Sequence, residues 1–203
     1  MRQRLVTAAL KIYRKEGLDA VSFRRLADAV GLSHTLPYRY FEHKEALLVA
    51  MRVVCTQRFE SFVRAREAVD APLLSRINSV ATAYVEFVRL NPDEYQLIFT
   101  MNQPPPDQYP ELLAARRSFF EHAVDIVGQS IATGQLQGDP RELTHALWIG
   151  LHGLMGLHVA NQLVHGRNLE QLVQPLLSRI LGQSTPSEKA IKPARAARRK
   201  SNE

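Results

Sequence analysis

Cysteine is nearly absent. Cys55 is the single one among 203 residues, so no internal disulfide can form, a usage that fits a reducing compartment. No run of about 18 clean apolar residues is present that would predict a membrane-spanning helix. The most apolar stretch, ALWIGLHGLMGLHVA, contains two histidines. The apolar part of the N-terminal MRQRLVTAALKIYRKEG is too short for a signal peptide and soon meets Lys11, Arg14 and Lys15. A soluble, cytoplasmic protein with no membrane partner is expected. There is no convincing strand alternation, no internal repeat, no glycine-rich phosphate loop and no Ser-His-Asp or paired-carboxylate spacing, so neither an enzyme nor a cofactor is expected. His145, Trp148 and His152 share one face of a late helix, and His158 and His165 another. Two histidines two full turns apart do not chelate a metal alone, so no metal site is expected.

What is present is helix-forming sequence and an uneven charge. Hydrophobic residues make up 45% of the chain and the net charge is +6. Residues 1–52 hold ten Lys/Arg against five Asp/Glu, residues 53–182 ten against thirteen, and residues 183–203 six against two. A basic head, a mildly acidic body and a basic tail point to a head that meets phosphate. The periodicity is helical almost throughout and predicts an all-α fold of about nine helices. Leu5, Ala9, Ile12 and Tyr13 form one face of the first, which Gly17 stops. Ser22 caps FRRLADAV, which Gly31 closes, and Ser33 caps a third helix. A fourth starts near His43. Asp70 and Pro72 open a fifth, Asn91-Pro92 starts a short sixth, and NQPPPDQYP reads as a loop. The seventh runs from about Pro110 to Thr133. Asp139-Pro140 opens an eighth reaching about His165, and Asn168 a ninth, which Pro175 should kink or truly begin. The expected division is a head over 1–48, a body over 49–182 and a basic disordered tail over 183–203.

Phe23 to Glu42 has helix-turn-helix spacing. Ala27 sits where two helices would cross closely, Gly31 can take the left-handed conformation of the tight turn, and Leu26, Val30, Leu32, Pro37 and Tyr40 point into a small core. With Ser33 as cap, Pro37 would be the fourth residue of the second helix, leaving only the Ser33 carbonyl without its partner. Arg39 can donate two hydrogen bonds to a guanine edge, and His34 and Thr35 stand at the entrance of that helix, where base edges are met. Ser22, Ser33, Tyr38, Tyr40 and Lys44 suit phosphates, and Arg24 a base or a phosphate. In the body, Phe62, Tyr84, Phe99 and Phe120 could line a pocket beside Trp148 and His152, where Gly150, Gly153 and Gly156 thin one side of the helix.

The segment SFRRLADAVGLSHTLPYRYFEHKEALL resembles the N-terminal domain of TetR-family transcriptional regulators: Gly31 and Ser33, then Tyr38, Tyr40 and Phe41, then Lys44, Glu45, Leu47 and Leu48. Proline at position 37 departs from the leucine or isoleucine usual there, and is associated with a subset whose C-terminal domain carries a Trp-His-Gly signature. WIGLHG, with Trp148, His152 and Gly153, is similar to that signature. The resemblance implies an all-α homodimer whose head binds double-stranded operator DNA, an inverted repeat, and whose body binds a small-molecule effector. The expected function is a ligand-responsive regulator, a repressor. Two rivals stay open: a DNA-binding protein whose body binds another protein, and a helical carrier or enzyme that kept the fold without operator binding. The apolar stretches Leu147 to Val159 and Leu169 to Leu181 predict a two-fold four-helix interface through the eighth and ninth helices, with Leu177 on it.

Overall fold

The computed structural model describes residues 1–100 and 102–182, and the tail expected over 183–203 lies outside them. Among the described residues the chain is helical and has no strand. The α-helices are α1 (Arg2–Glu16), α2 (Phe23–Val30), α3 (Lys44–Arg64), α4 (Leu73–Leu90), α5 (Pro92–Tyr95), α6 (Pro110–Ala132), α7 (Pro140–Val159) and α8 (Leu169–Ile180). None is long and apolar enough to cross a membrane. The expected eighth and ninth helices are α7 and α8.

The head folds largely as its residues dictate. The Ser22 hydroxyl accepts from the Arg25 amide at 3.4 Å and so caps α2. Gly31 ends α2 in the left-handed region (φ 68°), which lets the Leu32 amide turn back onto the Ala27 carbonyl at 2.9 Å. Ala27 is fully buried. The next element differs from expectation. No α-helix starts at Ser33; residues 34–36 form a turn, followed by one 3₁₀ turn at Pro37–Arg39. Nor is the Ser33 carbonyl orphaned, because it accepts from the Leu36 amide at 2.9 Å. The reason lies in Pro37. It has no N–H for the i→i+4 bond that would extend a helix from Ser33, although Leu36 before it keeps helical dihedrals (φ −64°, ψ −42°). The chain uses the tighter i→i+3 bond instead. The ring of Pro37 is buried, as an inward slot requires. The His43 ring caps α3, its Nδ1 accepting from the Ala46 amide at 3.1 Å.

Two boundaries in the body also differ. α7 ends at Val159, well before His165, because Asn161 takes a positive φ of 56° and the Gln162 amide closes onto the Leu157 carbonyl at 2.8 Å. His158 and His165 therefore share no helical face. α8 starts at Asn168, not at Pro175, through a capping box with Gln171. α3 runs unbroken past residue 48, so head and body share one helix. In the body core Phe59 stands edge-on to Tyr84, Phe87 and Phe119 at 4.7–5.2 Å between ring centres.

The head is tied to the body at α5. The Tyr13 hydroxyl donates to the Asp93 carbonyl at 2.8 Å. Arg14 pairs with Glu94, and so does Arg58, at 3.1 Å. Glu94 is 1% exposed, so these pairings answer a buried carboxyl group. Burial pushes the Tyr13 hydroxyl up to about 12. Burial, and then the Glu94 carboxylate, push the Cys55 thiol far up, which makes it unreactive.

Candidate functional site

The structure offers two regions. On the head, Arg24, Arg39 and Lys44 are exposed, and none makes an ion pair among the described residues. By contrast, Arg25 is taken up by Glu16 at 2.7 Å, and Arg2 lies over the Phe41 ring. His34 and Thr35 are exposed in the turn before Pro37, not at a helix entrance. The His34 ring lies 2.7 Å from the Asp28 carboxylate of α2, and the Thr35 hydroxyl lies 3.0 Å from that of Ser33. Tyr38 is 63% exposed and packs one edge on Phe23. Tyr40 is also exposed rather than inward; Phe41, the next residue, fills the core instead. Ser22, Arg24, Ser33, Tyr38, Arg39, Tyr40 and Lys44 thus keep side chains open to solvent around one short turn, with cations that no internal carboxylate neutralises.

The second region is a cavity of about 500 Å³ in the body, enclosed by α3, α4, α6, α7 and the π-helical turn Gln96–Thr100. That volume is ordinary for a small-molecule site. Of the sequence candidates, Tyr84, Phe99, Phe120 and Trp148 line it, and Phe62 and His152 do not. Phe62 faces elsewhere, against Phe87 and under the Arg66 guanidinium at 3.5 Å. His152 sits behind the wall. Its ring lies 5.8 Å from that of Trp148, and its Nδ1 is 3.1 Å from the Tyr95 hydroxyl. Burial holds the His152 imidazole below its ordinary value, and pushes Tyr95 up to about 12. The three glycines of α7 do not make the cavity. A Cβ on Gly150 would stand 2.9 Å from Ile180 of α8, marking a close helix crossing, while Gly153 and Gly156 face open space.

The polar part of the wall escaped the sequence reading. Thr56, Gln103, Arg116 and the pair Arg141–Glu121 (2.7 Å) all line the cavity. One signal for Arg116 was there. Leu112, Ala115, Phe119, Ala123 and Ile126 form the inward stripe of α6, and Arg116 is the charged member of that face. Among the described residues, no group of three or more His, Cys, Asp or Glu is arranged to hold a metal ion.

Comparison with known proteins agrees with both regions. Residues 5–51 match the family model described as bacterial regulatory proteins, tetR family, and residues 77–180 match the tetracyclin repressor-like C-terminal domain. The nucleoid occlusion factor SlmA of Actinobacillus pleuropneumoniae is 30% identical over 78 residues, which cover 38% of this chain and only 39% of that relative. A structure of a protein with unknown function from Rhodococcus sp. RHA1 superposes with a TM-score of 0.77 at 24% identity, covering 89% of this chain and 93% of the other. A transcriptional regulator of the TetR/AcrR family from Thermobifida fusca gives 0.66 at 21% identity, over 91% and 98%. Such identities speak for the fold alone, but the two family models together span most of the chain. The chain belongs to the TetR family of transcriptional regulators, through its N-terminal region and its tetracyclin repressor-like C-terminal domain.

Proposed function

We propose that the protein is a cytoplasmic, ligand-responsive repressor, not an enzyme, that binds an inverted-repeat operator as a homodimer and leaves it when a small molecule enters the cavity. The observation that carries this reading is the path from cavity to head. Phe99 and Ile98 line the cavity on the π-helical turn. That turn continues α5, and α5 holds α1 through Tyr13–Asp93 and Arg14–Glu94. A ligand that moves Phe99 therefore acts on the helix that carries the head, and favours one head spacing over another according to its affinity for each. Trp148, His152 and Gly153 support a place in the subset with a Trp-His-Gly signature, in which Trp148 meets the ligand and His152 supports it from behind.

On the head, Arg39, His34 and Thr35 read bases, and Arg24 a base or a phosphate. Ser22, Ser33, Tyr38, Tyr40 and Lys44 hold phosphates. The dimer forms through α7 and α8. Ala146, Ile149, Gly153 and Leu157 recur along one face of α7 at three- and four-residue steps, with the C-cap Ala160 next in line, and all five are exposed in the single chain. Leu172, Leu176 and Ile180 flank them half-buried on α8. An apolar stripe of this kind asks for a partner helix.

The test has two steps. The full chain selects its operator from a random duplex pool, and a thermal-shift screen then finds compounds that stabilise the body. A stabilising compound should weaken operator affinity at least about tenfold, a coupling of about 1.4 kcal/mol. If every stabilising compound left operator binding unchanged, the cavity would not be a control site.

A further inference from the structure

The cavity wall carries a positive charge that no carboxylate pairs with among the described residues. Arg116 of α6 lines the cavity, and its guanidinium donates to the side-chain oxygen of Gln103, a neutral group. The Gln103 amide in turn donates to the Leu97 carbonyl at 3.3 Å. That same carbonyl accepts from Nε of Arg52 at 3.3 Å, and the other Arg52 bond, at 2.8 Å, goes to the Asn102 carbonyl. Two guanidiniums are thus joined in one network, and no carboxylate pairs with either among the described residues. The carboxylate whose field reaches Arg52, that of Glu45, accepts from the Tyr109 hydroxyl at 2.8 Å. Elsewhere on the wall Arg141 pairs with Glu121, and Arg117 stands in the field of that same carboxylate. Arg52 is 3% exposed, and a buried guanidinium without a counter-charge is costly unless one arrives. Its proton affinity is lowered by burial first and then by the Arg116 charge, as for two cations held close without an anion between them.

A second, independent feature lies beside them. Thr56 stands one helical turn after Arg52 on the same face of α3. It lines the cavity, is 3% exposed, and its hydroxyl has no hydrogen-bond partner among the described residues. A buried hydroxyl without a partner costs about 1–3 kcal/mol, so it too waits for a polar group. Most of the remaining wall is apolar, with Phe59, Phe99, Phe119, Phe120, Ile126 and Leu147 on it.

We propose that the effector is an amphipathic organic anion, its carboxylate received by Arg116 and Thr56 and its apolar body filling the aromatic chamber. This rests on the reading of the cavity as the effector site and adds the chemical class. Arg116 supplies a forked donor suited to a carboxylate, Arg52 supplies field from behind, and Thr56 donates one further bond.

Trp148 is the one tryptophan of the chain and lines the cavity, so its emission reports occupancy. The experiment titrates the full chain with dodecanoate, dodecan-1-ol and dodecylamine, three probes of equal chain length and different charge, each below its micelle-forming concentration. Dodecanoate should bind at least about tenfold more tightly than the alcohol, and the amine most weakly. In Arg116→Gln, acid and alcohol should come within about threefold of one another while the alcohol keeps its wild-type affinity. If Arg116→Gln failed to fold, the order of the three probes on the wild-type chain would decide alone. Acid, alcohol and amine binding equally well would overturn the charge assignment and leave the cavity standing as an effector site. Failure of all three to bind would overturn both.

Discussion

Arg39 and Lys44 sit five residues apart on the head, both exposed and both without an internal counter-ion, yet the reading proposed above gives them different work. Arg39→Ala should relax base preference at one position of each half-site, at a cost of about 1–3 kcal/mol there. Lys44→Ala should weaken binding to all sequences alike and flatten the salt dependence by about one counter-ion. Fluorescence anisotropy on operator and scrambled duplexes at several salt concentrations separates the two. Equal losses on both duplexes for both variants would refute the division. These cations could be picked out from the sequence because they surround a recognisable turn. The cavity residues were harder. Phe59 and Phe62 are both aromatic and lie on one helix, but only Phe59 reaches the chamber, while Phe62 packs on Phe87. Helical spacing tells which residues share a face, not what that face meets. Arg116 was hidden for the opposite reason: a charged residue reads as surface until the apolar members of its stripe are seen to enclose it.

Among the elements, the segment after Gly31 departs furthest from its sequence. Elsewhere capping residues placed the helices well. Ser22, Asp139 and Asn168 each accept from the third residue of the helix they open, and Gly17 and Gly31 close theirs. Ser33 carries the same signal, but its hydroxyl is spent on Thr35 and no helix follows. The competing influence is Pro37, which removes one donor, and a segment this short has no further turns to offset that loss. Replacing it isolates the effect. Pro37→Leu restores the N–H to the Ser33 carbonyl and keeps an apolar side chain in the buried slot. The variant should fold, bind the operator, and show new amide-exchange protection over residues 37–40 as the 3₁₀ turn lengthens into α-helix. Its stability should stay within about 1 kcal/mol of wild type, because the loss of proline's restriction of the unfolded chain opposes the added bond. Unchanged exchange at those amides would show that something other than the missing donor shortens the element.

The whole molecule is a head and a body that share α3, with α5 as a second tie. The sequence pattern marks α7 and α8 as too apolar for a monomer surface, but Leu177 does not represent that face. Leu177 is 1% exposed and belongs to the chain's own core, so a charge there would unfold the body. Ile149, at 63% exposed, lies on the free stripe. Burial within one chain and burial between two look alike in a hydrophobic period, and only the packed monomer separates them. The most direct test of a two-fold, operator-binding regulator is therefore sedimentation velocity of the full chain, wild type and Ile149→Glu, alone and with the selected duplex. The account predicts a wild-type dimer at micromolar concentration, an even number of chains on each duplex, and a selected sequence that is an inverted repeat with half-sites about one helical turn apart or somewhat more. Ile149→Glu should sediment as a folded monomer whose operator affinity falls by about two orders of magnitude or more, since two heads no longer bind as one unit. A wild-type monomer bound one to one, or an Ile149→Glu chain that holds the operator as tightly as wild type, would contradict it.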